Sequence, residues 1–516
     1  MKYFAISAAF AAAFGLAACQ PADQAAPANI EASAPAVTQY DAATFFMTTS
    51  FGMADSSGHA FAASDGRILI SSDETGVFNA YAVDPVSGDR EALTSSTTSA
   101  TYAVSWFPND DRALVTADGG GDELSHVYVR ELDGRLSDLT PGENVKAQFI
   151  GFSPDGSDIW IATNARDAAA FDVYQYDTLS YESSVLFENS DTLAINAVSP
   201  DGRWLALVRN RTSADSDILL VDLASDDREP VLITAHEGNI AYSAYTFTPD
   251  SSALIYATDE FGEFSQAWSH DLATGERAPL VTADWDVQFV TYSPSGRFLV
   301  TGINADARTE VSITDLETGE ALALPDLPAG DLGAVRFSRD EGSIAFTINA
   351  ATSPSNVHLV ELASQAHTQL TQALNPAISE ADMVDAEVVR FASFDGVEIP
   401  GIMYRPHGAS ADNPVPALVM VHGGPGGQSR IGYSAMIQHL VNHGYAVYAA
   451  NNRGSSGYGK TFFHMDDRRH GEEDLNDIVA AGDYLRSLDW VRHDQVGVIG
   501  GSYGGFMTVA ALAFHP

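Results

Sequence analysis

One turn signal recurs along this sequence at a nearly constant interval, and that interval limits the fold more than any other feature. It reads Ser-Pro-Asp-Gly at 153–156 and 199–202, Ser-Pro-Ser-Gly at 293–296, Thr-Pro-Asp at 248–250 and Pro-Asn-Asp at 108–110. Ser64-Asp65-Gly66 and Ser338-Arg339-Asp340 are degenerate copies. Aligned on the proline column, the steps are 44, 46, 46, 49, 45 and 45 residues. Proline fixes φ, while Asp and Gly favour a tight reversal. Each signal leads into a strand-like run, as at 204–208, 253–256 and 298–300. A second run follows, as at 218–223 and 357–362, and several units close on Leu-Thr, at 93–94, 139–140 and 370–371. The runs lack the 3.6-residue period of helical repeats. Strand-turn-strand units of this length are the signature of four-stranded blades. We therefore expect a seven-bladed β-propeller over residues 41–375. A signal present in every blade is read as structural, not as a metal or catalytic site.

After residue 376 the pattern changes. Runs at 388–394 and 397–404 flank Asp395-Gly396, which predicts a hairpin. The continuous apolar runs 415–421 and 445–450 read as parallel strands buried on both faces. Helices are expected over 431–442 and 472–488, a strand over 496–499 and an apolar helix over 506–514. Alternating strands and helices after a hairpin predict an α/β domain over 376–516.

The N-terminus reads as an address. Met1-Lys2 is followed by an apolar, Ala-rich run to Ala18, shorter than the ~20 residues of a membrane span and of the length of a secretory signal. It ends Leu16-Ala17-Ala18-Cys19, and Cys19 is the single cysteine of the chain. This resembles a bacterial lipobox, which implies cleavage before Cys19, lipidation of that residue and anchoring by its acyl chains. Residues 1–18 are thus expected to be a lipoprotein signal peptide and 19–40 an Ala/Pro-rich tether. Gln20 rather than Asp after the cysteine implies, by the same resemblance, an outer-membrane lipoprotein facing the periplasm or the cell surface.

Charge and motif content exclude several functions. Lys plus Arg number 26 against 69 Asp plus Glu, a formal net charge of −43. Such a surface repels phosphate backbones, so no nucleic-acid partner is expected. One cysteine permits neither an intrachain disulfide nor a Cys-rich zinc site. There is no His-Glu-x-x-His and no Gly-Lys-Ser/Thr loop. Neither metal nor cofactor is expected, and oligomeric state is not legible.

The chemistry-bearing motif is Gly500-Gly501-Ser502-Tyr503-Gly504, a match to Gly-x-Ser-x-Gly. A predicted strand runs into it and a predicted helix leaves it, which is the context of a nucleophile elbow. Flanking glycines allow a turn that a Cβ would block. Ser502 is the candidate nucleophile. His422-Gly423-Gly424-Pro425 follows the strand 415–421, as oxyanion loops do in this fold. The expected oxyanion donors are the N–H groups of Gly424 and Tyr503, with Gly423 as the alternative to Gly424. His422 is read as orienting this loop rather than as a general base.

A propeller preceding such a domain, with His-Gly-Gly-Pro, then Asn451-Asn452-Arg453-Gly454-Ser455-Ser456-Gly457-Tyr458-Gly459, then Gly-Gly-Ser-Tyr-Gly-Gly, resembles the prolyl oligopeptidase family of serine peptidases. The Arg-Gly-Ser-x-Gly-Tyr-Gly string is most similar to its acylaminoacyl-peptidase-like branch. The resemblance implies a propeller that caps the active site and admits only short peptides. Some relatives hold a free peptide N-terminus with paired Glu residues. Asp122-Glu123 and Asp259-Glu260 are weak counterparts and Glu472-Glu473 falls on a helix, so the residues lend dipeptidyl specificity no support and leave endo- and exo-peptidase modes open.

In this fold the triad runs Ser, Asp, His. After Ser502 come no Asp and one His, His515. On a helix it lies ~20 Å along the axis from Ser502, out of reach. The expectation is a C-terminally truncated, inactive fragment whose propeller is the stable part and whose last strand is an aggregation-prone edge. Three functions remain at this level: a serine peptidase of short or acyl-aminoacyl peptides, a carboxylesterase using the same serine, and a propeller-based binding or scaffold lipoprotein without catalysis.

Overall fold

The computed structural model describes residues 37–55 and 57–515. Cys19, the signal peptide 1–18 and the tether up to residue 36 lie outside the described residues. Among the described residues no helix is long and apolar enough to cross a membrane.

Seven four-stranded antiparallel sheets follow one another, covering 51–92, 101–138, 147–187, 194–232, 242–281, 286–321 and 331–369. In each, strand order in space is strand order in sequence. These are blades 1 to 7 of a β-propeller, as the repeat predicts. The recurring turn joins the first strand of a blade to the second. In blade 4 the Ser199 hydroxyl accepts from Trp204 N (2.8 Å) and donates to Asp201, and in blade 6 Ser293 accepts from Phe298 N (3.0 Å). Gly156, Gly202 and Gly296 take φ of +70° to +79° here, open to glycine at no steric cost. The Leu-Thr endings have a physical role too. Thr94, Thr140 and Thr371 are buried and accept the backbone N–H of Ala80, Val127 and Val357 on the third strand of their own blade.

The propeller core is a series of apolar layers between neighbouring blades. Leu114, Val127 and Val129 of blade 2 meet Phe149, Ile159 and Ile161 of blade 3; Leu207 and Val221 of blade 4 meet Trp160 and Val173. Each fully buried Val, Leu or Ile contributes ~1.5–3 kcal/mol. Blade 7 closes on blade 1 through Ala345, Val357 and Leu359 against Ile68, Ile70 and Tyr81.

The α/β region is a five-stranded sheet. Strands β1 (Ala386–Ala392) and β2 (Glu398–Tyr404) form the expected hairpin; β3 (Val415–Val421), β4 (Ala446–Ala450) and β5 (Val491–Gly500) complete the order β1-β2-β4-β3-β5. Both neighbours of β3 run parallel to it, with Val421 paired to Ala450 and to Gly500. Helices α1 (Ala435–Asn442), α2 (Glu473–Ser487) and α3 (Tyr503–Phe514) flank the sheet. Leu475, Ile478, Ala481 and Leu485 of α2 and Met507 and Ala510 of α3 pack on Val415, Ala417 and Val419.

Boundaries shift where tertiary contacts take over. The helix expected from 431 starts at Ala435, capped by Ser434, because residues 431–433 are held by the propeller: Ile431 N donates to Ala307 O (3.0 Å) and Tyr433 N to Asn349 (3.2 Å). The last strand runs over ten residues, not four, since its start also pairs with β3, Val491 opposite Val415. The last helix begins at Tyr503 rather than Phe506. Residues 38–46 pack on the α/β region: Tyr40 N donates to Asn442, and Phe45 is fully buried beside Leu374, Ile378 and Met383.

Candidate active site

The site forms where β5 turns into α3. Ser502 sits between them with φ +52° and ψ −122°, a conformation few side-chain-bearing residues adopt. Two glycines permit the turn. A Cβ on Gly504 would overlap the carbonyl oxygen of Val421 at the end of β3, and one on Gly500 would lie 2.5 Å from the Gly504 backbone. The helix therefore leaves the strand at a distance only bare backbone allows. Ser502 is exposed, and among the described residues its hydroxyl has no hydrogen-bond partner.

The loop after β3 comes to this turn. A Cβ on Gly423 would lie 3.3 Å from Ser502 Cβ and 3.7 Å from Ser502 Oγ, so the bare face of Gly423 is against the serine. Gly424, at φ +133°, is packed on the amides of Gly426 and Gly427. Tyr503 is the first residue of α3, so its N–H has no intrahelical acceptor. The positive end of the helix macrodipole faces the same point.

His422 makes no hydrogen bond to Ser502. Its Nε2 lies 2.9 Å from Ser455 Oγ and its Nδ1 2.8 Å from Gly423 O. Burial holds its pKa below the usual imidazole value. It links the 423–427 loop to the 452–455 loop. His515, at the far end of α3, is exposed.

Two buried carboxylates that sequence reasoning did not single out position these loops. Asp474 is inaccessible to solvent; its Oδ1 accepts the N–H of Gly471, Glu472 and Leu475, and its Oδ2 accepts the Tyr503 hydroxyl. Burial and this carboxylate push the Tyr503 phenol well up, so it remains a donor. The residue after the serine is thereby fixed to the start of α2. Asp477, one turn on and equally buried, accepts from Arg453 N (3.0 Å), Nε (2.9 Å) and Nη2 (2.9 Å) and from Ser393 Oγ (2.6 Å). The other side of the guanidinium reaches Asp395 (2.9 and 3.0 Å). Arg453 thus ties the β1–β2 turn, α2 and the loop after β4 together. The arginine of the Arg-Gly-Ser string is architectural.

The propeller meets this region with the turns between second and third strands of blades 5 to 7. Asn304 donates to Gln428 (2.8 Å), Arg430 to Asn304 and Thr309, and Lys460 Nζ to Asp259 O (2.8 Å). Glu263 accepts from Thr461 N (2.9 Å) and Oγ1 (2.8 Å). Trp285 meets Tyr458 edge-on at 6.0 Å. Three of the four weak paired-acid candidates, all but Glu123, are otherwise engaged. Glu260 accepts from Tyr242 and Arg277, Asp259 from Ala241 N, and Asp122 from Gly119 N and Leu124 N.

A profile of the prolyl oligopeptidase family matches residues 431–516. Along 86% of its length the chain is similar to a dipeptidyl aminopeptidase BIII of Pseudoxanthomonas mexicana, 29% identical over 461 residues, and spans 65% of that protein. A shorter stretch of 101 residues, 20% of this chain and 13% of the relative, is 33% identical to an acylamino-acid-releasing enzyme of Oryza sativa subsp. japonica. Among solved structures, one from a study of two prolyl endopeptidases superposes with a TM-score of 0.74 at 18% identity, covering 92% of this chain and 72% of that one. That likeness is one of fold: a seven-bladed propeller followed by part of an α/β domain.

Proposed function

We propose that this chain, whose residues 431–516 match the profile of the prolyl oligopeptidase family, carries the nucleophile of a serine peptidase acting on short peptides, acyl-aminoacyl peptides among them. The observation that carries the reading is the backbone of Ser502: a positive φ at a strand-to-helix turn, the hydroxyl exposed and a glycine loop against it. In this reading Ser502 Oγ attacks the peptide carbonyl. The N–H groups of Gly424 and Tyr503 receive the oxyanion, each donor being worth ~3–4 kcal/mol of transition-state stabilisation. Gly423 provides the close approach that lets a substrate lie between them.

Catalysis also needs a histidine base and a carboxylate that orients it. Among the described residues no histidine hydrogen-bonds the Ser502 hydroxyl: the nitrogens of His422 are committed to Ser455 and Gly423, and His470 pairs with Asp466. The described chain alone is therefore expected to be inactive. The propeller, docked by its second-to-third-strand turns, would restrict access to peptides small enough to pass.

The test is covalent labelling in the enzyme that holds Ser502 together with its base. A fluorophosphonate should label Ser502, and Ser502→Ala should abolish both labelling and hydrolysis of a blocked peptide. Hydrolysis that survives this substitution refutes the assignment. Faster turnover of a matched ester with no cleavage of the peptide would instead make the protein an esterase.

A further inference from the structure

The propeller holds a second candidate site, at the end remote from Ser502. The α/β region docks on the turns between second and third strands, so the Ser-Pro-Asp-Gly turns lie at the opposite end. There, where the first strands of blades 6, 7 and 1 meet, is a cavity of about 340 Å³. Two features of these strands border it. The first strand of blade 1 breaks after Met53 and resumes pairing at His59 and Phe61. The first strand of blade 7 shifts register between Gly333 and Arg336, with Ala334 at φ +49°. Bulges re-aim side chains, and this one carries Arg336 into the cavity, whose wall includes Arg339 as well.

These two cations are unusual in a chain of net charge −43. Most arginines elsewhere on the propeller, Arg112, Arg166, Arg211, Arg277 and Arg297 among them, pair with a carboxylate. Among the described residues, neither Arg336 nor Arg339 has a carboxylate partner. Both bond only to carbonyl oxygens. Arg336 donates from Nε and Nη2 to Ala54 O and from Nη1 to Val335 O. Arg339 donates to Phe61 O, Pro108 O and Phe107 O. A guanidinium has five N–H donors, so each retains one on Nη1 and one on Nη2. Burial depresses the pKa of both, and the nearby carboxylates Asp55 and Asp111 offset it only in part; an anion bound directly would relieve that cost. Beyond the arginines, Phe61, Tyr292, Val300 and Val335 give the cavity an apolar side, while Ser57, His59 and Thr291 add polar groups. A charged fork against an apolar wall suits an organic carboxylate better than a small hydrated anion.

We propose that this cavity is a carboxylate-binding site, in which Arg336 and Arg339 take the C-terminal carboxylate of a short peptide and the apolar wall takes its last side chain. The proposal is independent of Ser502 chemistry. The experiment is calorimetric titration of the protein with tri-alanine, tri-alanine amide and inorganic phosphate. The acid should bind at least tenfold more tightly than the amide and more tightly than phosphate. Arg336→Gln should weaken the acid about tenfold and leave the affinity for the amide unchanged. Equal affinity for acid and amide, or phosphate binding as tightly as the peptide, overturns the proposal. If Arg336→Gln does not fold, the acid-to-amide comparison on the unaltered protein decides alone.

Discussion

Replacing Asp477 by Ala removes the acceptor of four hydrogen bonds from a position with no solvent access. The Arg453 side chain, 6% exposed, would then keep Asp395 as its only carboxylate. Breaking a buried ion pair by deleting one partner costs ~3–5 kcal/mol. Because Asp395 remains, itself 35% exposed, we expect the lower end, ~3 kcal/mol. That is a large share of a domain stability of ~5–15 kcal/mol. Amide hydrogen exchange of α2, read by mass spectrometry, should accelerate about 100-fold, at 1.4 kcal/mol per factor of ten. The double variant Arg453→Met/Asp477→Leu leaves no unpaired buried charge and should recover most of the loss, giving a coupling energy well above 1 kcal/mol. A change of less than threefold in α2 exchange, or a double variant as damaged as Asp477→Ala, would refute the role given to this network.

Gly504→Ala drives a Cβ into the carbonyl of Val421 and should cost at least ~2 kcal/mol and lower fluorophosphonate labelling. Gly501→Ala, with open space around it, should do neither; thermal melting and labelling of the pair check this. Burial lowers the pKa of His59 and His358 to about 4. Their neutral forms therefore stabilise the fold fully above pH ~6.5, and that stability is lost as pH falls from ~6.5 towards 4. In urea unfolding, the stability gap between the unaltered protein and His358→Gln should shrink from pH 7 to 4.5; a constant gap would count against it. Phe506, Val509, Leu512 and Phe514 expose a contiguous apolar face of α3, each 49–74% accessible. Val509→Lys/Leu512→Lys should reduce concentration-dependent association in sedimentation velocity, whereas unchanged association would place the contact elsewhere.

Much of the architecture was legible because it repeats. A turn that must reverse the chain the same way seven times leaves the same residues at the same spacing, and periodicity is one-dimensional information. The elbow was legible for a related reason: Gly500, Ser502 and Gly504 act within five residues, so their constraint is local. Element ends were less so. The start of α1 moved from 431 to Ala435 because propeller residues 307 and 349 hold the intervening backbone, and no local signal encodes a partner a hundred residues away.

The sequence by itself determined the blade count, the α/β alternation and the identity of the exposed serine, since each follows from short-range backbone preferences. Only the tertiary structure decided what holds that serine in place and where charge goes unpaired. Asp474, Asp477 and Arg453 look like ordinary surface residues of a helix and a loop until folding removes water from around them. Arg336 and Arg339 look like two more arginines until the first strand of blade 7 and the turn after it bring both to one cavity. Electrostatic energy depends on burial and on neighbours in space, and neither is a property of the linear chain.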